Sequence, residues 1–256
     1  MTSTRLDLAR YLELLAADGE RLATAAEGHL EAAVPSCPGW DVADAVCHTG
    51  AVYHHKINSI VLDRFPTEGE SAQGPADGED LLTWFRASLA GLLHELTTRD
   101  PDAAAPTWYP PEQTVAWFYR RMAQETAVHR VDVELATGVV TPVADDLALD
   151  GVDEVLDLFL RYGLGTDPDE DIADFAGRSV QIRTGHQAWH VVGTTGDPTE
   201  QIRLDRGVHA ADASVSGEPS ELLLWLWNRR PDSAVRIDGD PQALAAFRGL
   251  LARATV

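Results

Sequence analysis

Glu125 and His129 stand four residues apart in a segment of helical periodicity, and His48 lies on the apolar stripe of an earlier one. Residues four apart on a helix sit one above the other, so this carboxylate and imidazole address the same point from successive turns. His48 shares a face with Ala45, Thr49 and Val52, which would turn a second imidazole into the same core. Two imidazoles and a carboxylate with a vacant fourth position suit a catalytic divalent ion, zinc first, because the vacancy can take water, a thiolate or a substrate oxygen. Iron held by two histidines and one carboxylate is also chemically allowed. The residues also fit a plainer arrangement, in which Glu125 and His129 form a surface pair worth a few tenths of a kcal/mol and His48 is a hydrogen-bonded core residue.

The neighbours of these three carry weaker signals. Asp132, three residues after His129, either holds an imidazole from behind, as metal-bound histidines require, or pairs with Arg121 or Arg130. His55, two turns beyond His48, reads as a pocket residue, an alternative ligand or a polar rim residue, while His54 points elsewhere. Cys47 adjoins His48 but is rotated about 100° around the helix, as a packed thiol would be. Trp40 reads as a core anchor for the turn before that helix. His94, His186, His190 and His209 have no partner at ligand spacing and read as structural or surface groups.

Four long helices must position this constellation. Leu6, Leu8, Leu12, Leu15, Ala16 and Leu22 predict a first helix over about 5–27. In Ser36-Cys37-Pro38-Gly39-Trp40-Asp41 a turn ends on a good N-cap with Asp44 three residues on, so a second helix is expected over 42–62. After a Gly-, Pro- and acid-rich loop, Asp80 caps a third helix to about Thr97. Pro110-Pro111 introduce a fourth, from Glu112 to the C-terminal stop at Gly138. Beyond Thr141-Pro142 the period changes. One more helix, about 152–162, precedes runs at 180–184, 188–192, 201–204 and 213–216 that alternate as half-buried antiparallel strands do. A helix from Glu218 to Asn228, a short strand at 235–237 and a helix opening at Pro241 complete the chain. The expected organisation is mixed, with a four-helix bundle over 1–142 and a smaller α+β domain with an antiparallel sheet over 143–256.

Composition narrows the partners. Forty-one acids against 20 Lys and Arg leave a formal charge of −21, the wrong sign for neutralising a phosphate backbone, so nucleic acid is not expected. No stretch approaches the roughly 18 apolar residues of a membrane span, and Met1 to Arg10 lacks a basic region followed by an apolar run; a cytoplasmic monomer is expected. Cys37 and Cys47, ten apart, match neither a redox pair nor a zinc knuckle and read as reduced thiols.

The segments Cys37-Pro38-Gly39-Trp40-Asp41-Val42, with His48 seven residues beyond Asp41, and Glu125-Thr126-Ala127-Val128-His129-Arg130-Val131-Asp132 resemble the mycothiol-dependent maleylpyruvate isomerase family, whose N-terminal half is a DinB-like metal-binding four-helix bundle. Leu222-Leu223-Leu224-Trp225-Leu226-Trp227-Asn228-Arg229 and Gly239-Asp240-Pro241 resemble its smaller C-terminal domain. The resemblance implies that His48, Glu125 and His129 are a zinc triad whose open position receives the thiol of mycothiol, the actinobacterial counterpart of glutathione. Zinc would lower the thiol pKa and hold a thiolate nucleophile. In the isomerase chemistry the thiolate adds to an activated cis double bond, the resulting single bond rotates, and elimination returns the trans isomer; in transferase variants the thiol stays on the product. The family's cleft arginine maps onto Arg229, where a guanidinium suits an anionic carboxylate. The usual Gly before it is Asn228, and Arg230 follows directly, so the match could move by one; a cation complementing a helix dipole is the other reading.

The expected function is therefore a zinc-dependent, thiol-using isomerase or S-transferase acting on a small electrophile. Two other classes fit the same residues: a non-catalytic metal-binding or regulatory protein of this fold, and a hydrolase using zinc-bound water.

Overall fold

The computed structural model describes residues 4–167, 172–197 and 200–255; the outermost positions of both expected domains lie outside them. The chain forms two compact units, one of Leu6–Thr141 and one of Pro142–Val256 together with the N-terminal residues up to Arg5.

The first unit is a four-helix bundle of α1 (Leu8–Ala26), α2 (Val42–Leu62), α3 (Leu81–Thr98) and α4 (Val115–Thr137). Asp7 and Asp80 accept backbone N–H groups of Arg10 and Thr83, capping α1 and α3. Asp41 and Asp44 close a reciprocal capping box on α2. Helix α4 begins three residues later than the Pro110-Pro111 signal suggests. Gln113 is drawn into the preceding loop, where its side-chain amide donates to Thr107 and to the Tyr109 carbonyl. Helices α1 and α2 each pack against both α3 and α4. Leu15, Leu22, Val46, Tyr53, Phe85, Leu92, Phe118 and Met122 fill the centre. Gly50 lets α2 approach α3, because a Cβ there would overlap the Trp84 indole.

The second unit opens with α5 (Asp145–Glu154), which runs directly into a wider π-helical stretch, Val155–Leu164. This helix starts seven residues before the expected 152. Its acid-rich first turns resemble a solvated loop in sequence, yet Asp150, Asp153 and Glu154 are buried, and Asp153 accepts Trp189 Nε1–H from the sheet at 2.9 Å and pairs with Arg206. Five strands follow in the spatial order β3-β2-β1-β4-β5: β1 (Ser179–Thr184), β2 (Gln187–Gly193), β3 (Ile202–Arg206), β4 (Ala213–Ser216) and β5 (Arg236–Gly239). The sheet is mostly antiparallel, with one correction to the expected pattern: β1 and β4 are parallel. The link from β3 to β4 produces this. It crosses the polar face of the sheet, with His209 N–H donating to Gln181 and Asp212 accepting from Ser179, and delivers β4 alongside β1 in the same direction. His190 is buried on that face, its ring stacked on His209. Val180, Ile182, Trp189, Val191 and Val215 form the opposite, apolar face. Helices α6 (Pro219–Leu226) and α7 (Pro241–Ala254) supply Trp225 and Phe247 to the same core.

Among the described residues no helix is long and apolar enough to cross a membrane, and Cys37 and Cys47 form no disulfide.

Candidate metal centre

Helix α2 brings His48 and α4 brings Glu125 and His129 to one point in the bundle. One ligand atom from each lies within 4.8 Å of the other two. Glu125 Oε1 is 3.5 Å from His48 Nε2 and 3.3 Å from His129 Nε2. Donors bonded to zinc at about 2.1 Å in a tetrahedron stand about 3.4 Å apart, which both carboxylate-to-imidazole distances match, and the third edge lies within 4.8 Å. The centre is unevenly covered. The side chains of Glu125 and His129 are 17% and 11% exposed and that of His48 is 41%, so access from solvent is on the His48 side.

The tautomer of His129 is set from behind. Asp132, wholly buried, accepts from His129 Nδ1 at 3.0 Å, which turns the Nε2 lone pair toward Glu125 and His48. Asp132 is held in turn by Ser36 Oγ at 2.5 Å and Cys37 Sγ at 3.6 Å. Of the two roles open to Asp132, the structure shows the contact with His129; Arg121 pairs with Glu125 and Arg130 with Glu134. Burial opposes charge on His129, but Glu125 and Asp132 outweigh it and raise the imidazole to about 9. Burial likewise pushes Glu125 up, and His129, His48 and Arg121 more than reverse this, holding its carboxyl well below the usual range. A proton on His129 thus lies between groups that are otherwise all acceptors.

The turn before α2 does more than anchor the chain. Trp40 N–H donates to the Cys37 carbonyl at 3.0 Å and Gly39 sits at φ +89°, as position i+2 of a type II turn with proline before it demands. This turn presents Ser36 and Cys37 to Asp132. It also sets the Trp40 ring 5.0 Å from the His48 ring and 6.2 Å from that of His129, nearly parallel to the latter. Trp40 is half-buried and forms a wall of the site, not a core anchor. A Pro-Gly turn directly before an N-cap was the available signal for this placement.

Two cations lie along α2 and α4 from the triad. Arg121, one turn before Glu125, places Nη2 2.5 Å from Glu125 Oε2. Lys56 is held below the usual ammonium range by burial; Glu125 acts against this and Arg121 reinforces it. His55 contacts Lys56 Nζ at 3.4 Å and faces Phe65, outside the triad, and His54 bonds Ser88. Cys47 donates to the Gln73 carbonyl and its thiol is pushed up by burial and by Asp44, as befits a packed group.

Comparison with known proteins decides the lineage of this arrangement. The sequence matches the "Mycothiol maleylpyruvate isomerase N-terminal domain" over residues 12–134 and the "MDMPI C-terminal domain" over 146–246. The chain belongs to the mycothiol-dependent maleylpyruvate isomerase family. Crystal structures of the mycothiol-dependent maleylpyruvate isomerase and of a histidine-to-alanine mutant of it each align with a TM-score of 0.60 at 12% identity, covering 93% of this chain and 96% of theirs. At that identity the alignment shows a shared fold. No match is found among curated proteins.

In this isomerase-family chain Arg229 lies just past α6 in the second unit. Asn228 takes a left-handed conformation, φ +60°, and Arg229 N–H closes the helix end on the Leu224 carbonyl. Asparagine and glycine both tolerate that conformation, so Asn228 can serve where the resemblance leads us to expect glycine. The Arg229 guanidinium donates to the Trp227 carbonyl at 2.7 Å and lies 5.8 Å from the centre of its indole. Arg230 is engaged with Glu221 at 3.0 Å. The contact with a helix-end carbonyl expected of a cation there is made by the half-buried Arg229.

Proposed function

We propose that this protein is a divalent-metal, thiol-using enzyme, an isomerase or S-transferase that acts as a cytoplasmic monomer on a small electrophile, with a mycothiol-type thiol as cosubstrate. The observation that carries the reading is the convergence of two imidazoles and one carboxylate within 4.8 Å, with Glu125 Oε1 3.5 and 3.3 Å from the two Nε2 atoms and His129 contacted from behind by Asp132. His48, Glu125 and His129 would hold the ion, most suitably zinc given two imidazoles and a carboxylate. Such an ion, when bound, supplies Lewis acidity that lowers the pKa of a coordinated thiol and makes thiolate available near neutral pH.

The chain's own residues do the rest. Asp132 keeps the His129 Nδ1 proton in place, so Nε2 stays a donor atom through the cycle. Trp40 covers the imidazoles and restricts water on one side, while the exposed edge of His48 leaves an entrance for thiol and electrophile. The family resemblance assigns Arg229 to an anionic group of the substrate, for which a guanidinium offers two parallel hydrogen bonds.

Elemental mass spectrometry of gently purified, chelator-free protein tests the reading. About one zinc per chain in the wild type, lost in H48A and in E125A, supports it; metal-free wild type favours a binding protein that keeps only the fold. Turnover that depends on an added low-molecular-weight thiol separates the proposed chemistry from hydrolysis by metal-bound water.

A further inference from the structure

The two oxygens of Glu125 have different surroundings. Oε1 faces both imidazoles, whereas Oε2 is held by the Arg121 guanidinium. The Arg121 side chain is only 5% exposed, so this pairing is protected from the screening that weakens surface ion pairs. A carboxylate can ligate one ion through one oxygen or through both. If both oxygens engaged the ion, the second would occupy space that a sulfur or substrate oxygen needs. A guanidinium on Oε2 opposes this in two ways, by using its lone pair in a charge-assisted hydrogen bond and by placing a cation where the ion would have to move.

We infer that Arg121 is a positioning residue: by holding Glu125 Oε2 it limits the carboxylate to one ligating oxygen and keeps a coordination position open for the thiol. This inference rests on the metal-site reading above. It assigns a role to an arginine that the spacing of His48, Glu125 and His129 does not call for.

The test is cobalt(II) titration of the full chain as wild type, R121M and R121K, followed by 2-mercaptoethanol, read by visible and near-ultraviolet absorption. Wild type is expected to take up one cobalt with the intense visible bands of a four-coordinate ion, and to develop thiolate-to-cobalt charge-transfer absorption when the thiol is added. R121M is expected to bind cobalt with the weak bands of a higher coordination number and to need about ten- to a hundredfold more thiol, the usual scale for loss of a group that orients a ligand. R121K should recover part of the wild-type behaviour, since an ammonium can hold Oε2 without the planar fork. An R121M protein whose spectrum and thiol requirement equal those of wild type overturns the role of Arg121 and leaves the metal site standing. Wild type that takes up no cobalt overturns the metal reading itself, and this inference with it. Should R121M fail to fold, R121K decides alone: a thiol requirement raised by at least about threefold supports the role, and an unchanged one overturns it.

Discussion

Helix α4 carries two clusters of buried charge that are built on opposite principles. Around Arg130, which is fully buried, Asp18 lies at 3.2 Å and Glu134 at 2.7 Å, and the Thr141 carbonyl and hydroxyl accept further guanidinium bonds. Glu134 is also bonded by the Thr141 backbone N–H. Cation and anions are all supplied by the chain there, although one oxygen of the buried Asp18 has no hydrogen-bond partner among the described residues. Around Glu125, by contrast, the inward-facing atoms are two imidazole Nε2 atoms and a carboxylate oxygen, which without a proton are all acceptors. The Arg130 cluster draws its cation from the chain, whereas the inner side of the Glu125 cluster gathers three atoms that could each ligate an ion.

Mutation should separate the two clusters. Removing a ligand, as in H129A, is expected to abolish metal retention and thiol-dependent turnover, measured by elemental analysis and activity, while the fold survives in circular dichroism. R130M should do the reverse, destabilising the chain by about 3–5 kcal/mol in denaturant unfolding because Asp18 and Glu134 are left buried without their cation, with metal stoichiometry retained in the folded fraction. A ligand variant that unfolds and an arginine variant that loses metal would together erase the distinction. D132N, which keeps the shape but weakens the grip on His129 Nδ1, is expected to lower metal affinity by about ten- to a hundredfold in a competition titration with a chelator.

Protonation sharpens the contrast further. The folded imidazole of His129 is raised to about 9 from 6.5, so in the metal-free protein its contribution to stability is fully present below pH 6.5 and is lost as pH rises through 9. The metal competes for that same position. Metal affinity should therefore be weakest in acid and climb by up to about tenfold per pH unit toward pH 9, read by chelator competition across that range.

These differences bear on what the amino-acid sequence could disclose. The start of α2 was legible because Asp41 and Asp44 form a local capping box that needs no tertiary partner. The start of α5 was not, since Asp150 and Asp153 resemble solvated acids until a sheet supplies Trp189 and Arg206. Alternation along 180–184 and 213–216 revealed strands without their direction, which the crossing of the Gln181–His209 region determines. In the site, spacing of four drew attention to Glu125 and His129, and the structure places His48 beside them. Arg121 offered only its charge, and the partner suggested for it, Asp132, is bound to His129 instead. Trp40 was legible as part of a turn but not as a wall, because the turn's orientation depends on Ser36 and Cys37 meeting an aspartate 96 and 95 residues away.

The Pro38-Gly39 turn has one further consequence. By fixing an indole 5.0 and 6.2 Å from the two imidazoles, it furnishes the site with its own optical gauge. Of the seven tryptophans, Trp40 is the one in ring contact with His48 and His129 among the described residues, so a W40F chain subtracted from wild type isolates an emission that follows the charge on those rings. Arrival of a metal, loss of a proton and entry of a thiol can then be timed separately in a stopped-flow cell, without labelling the protein.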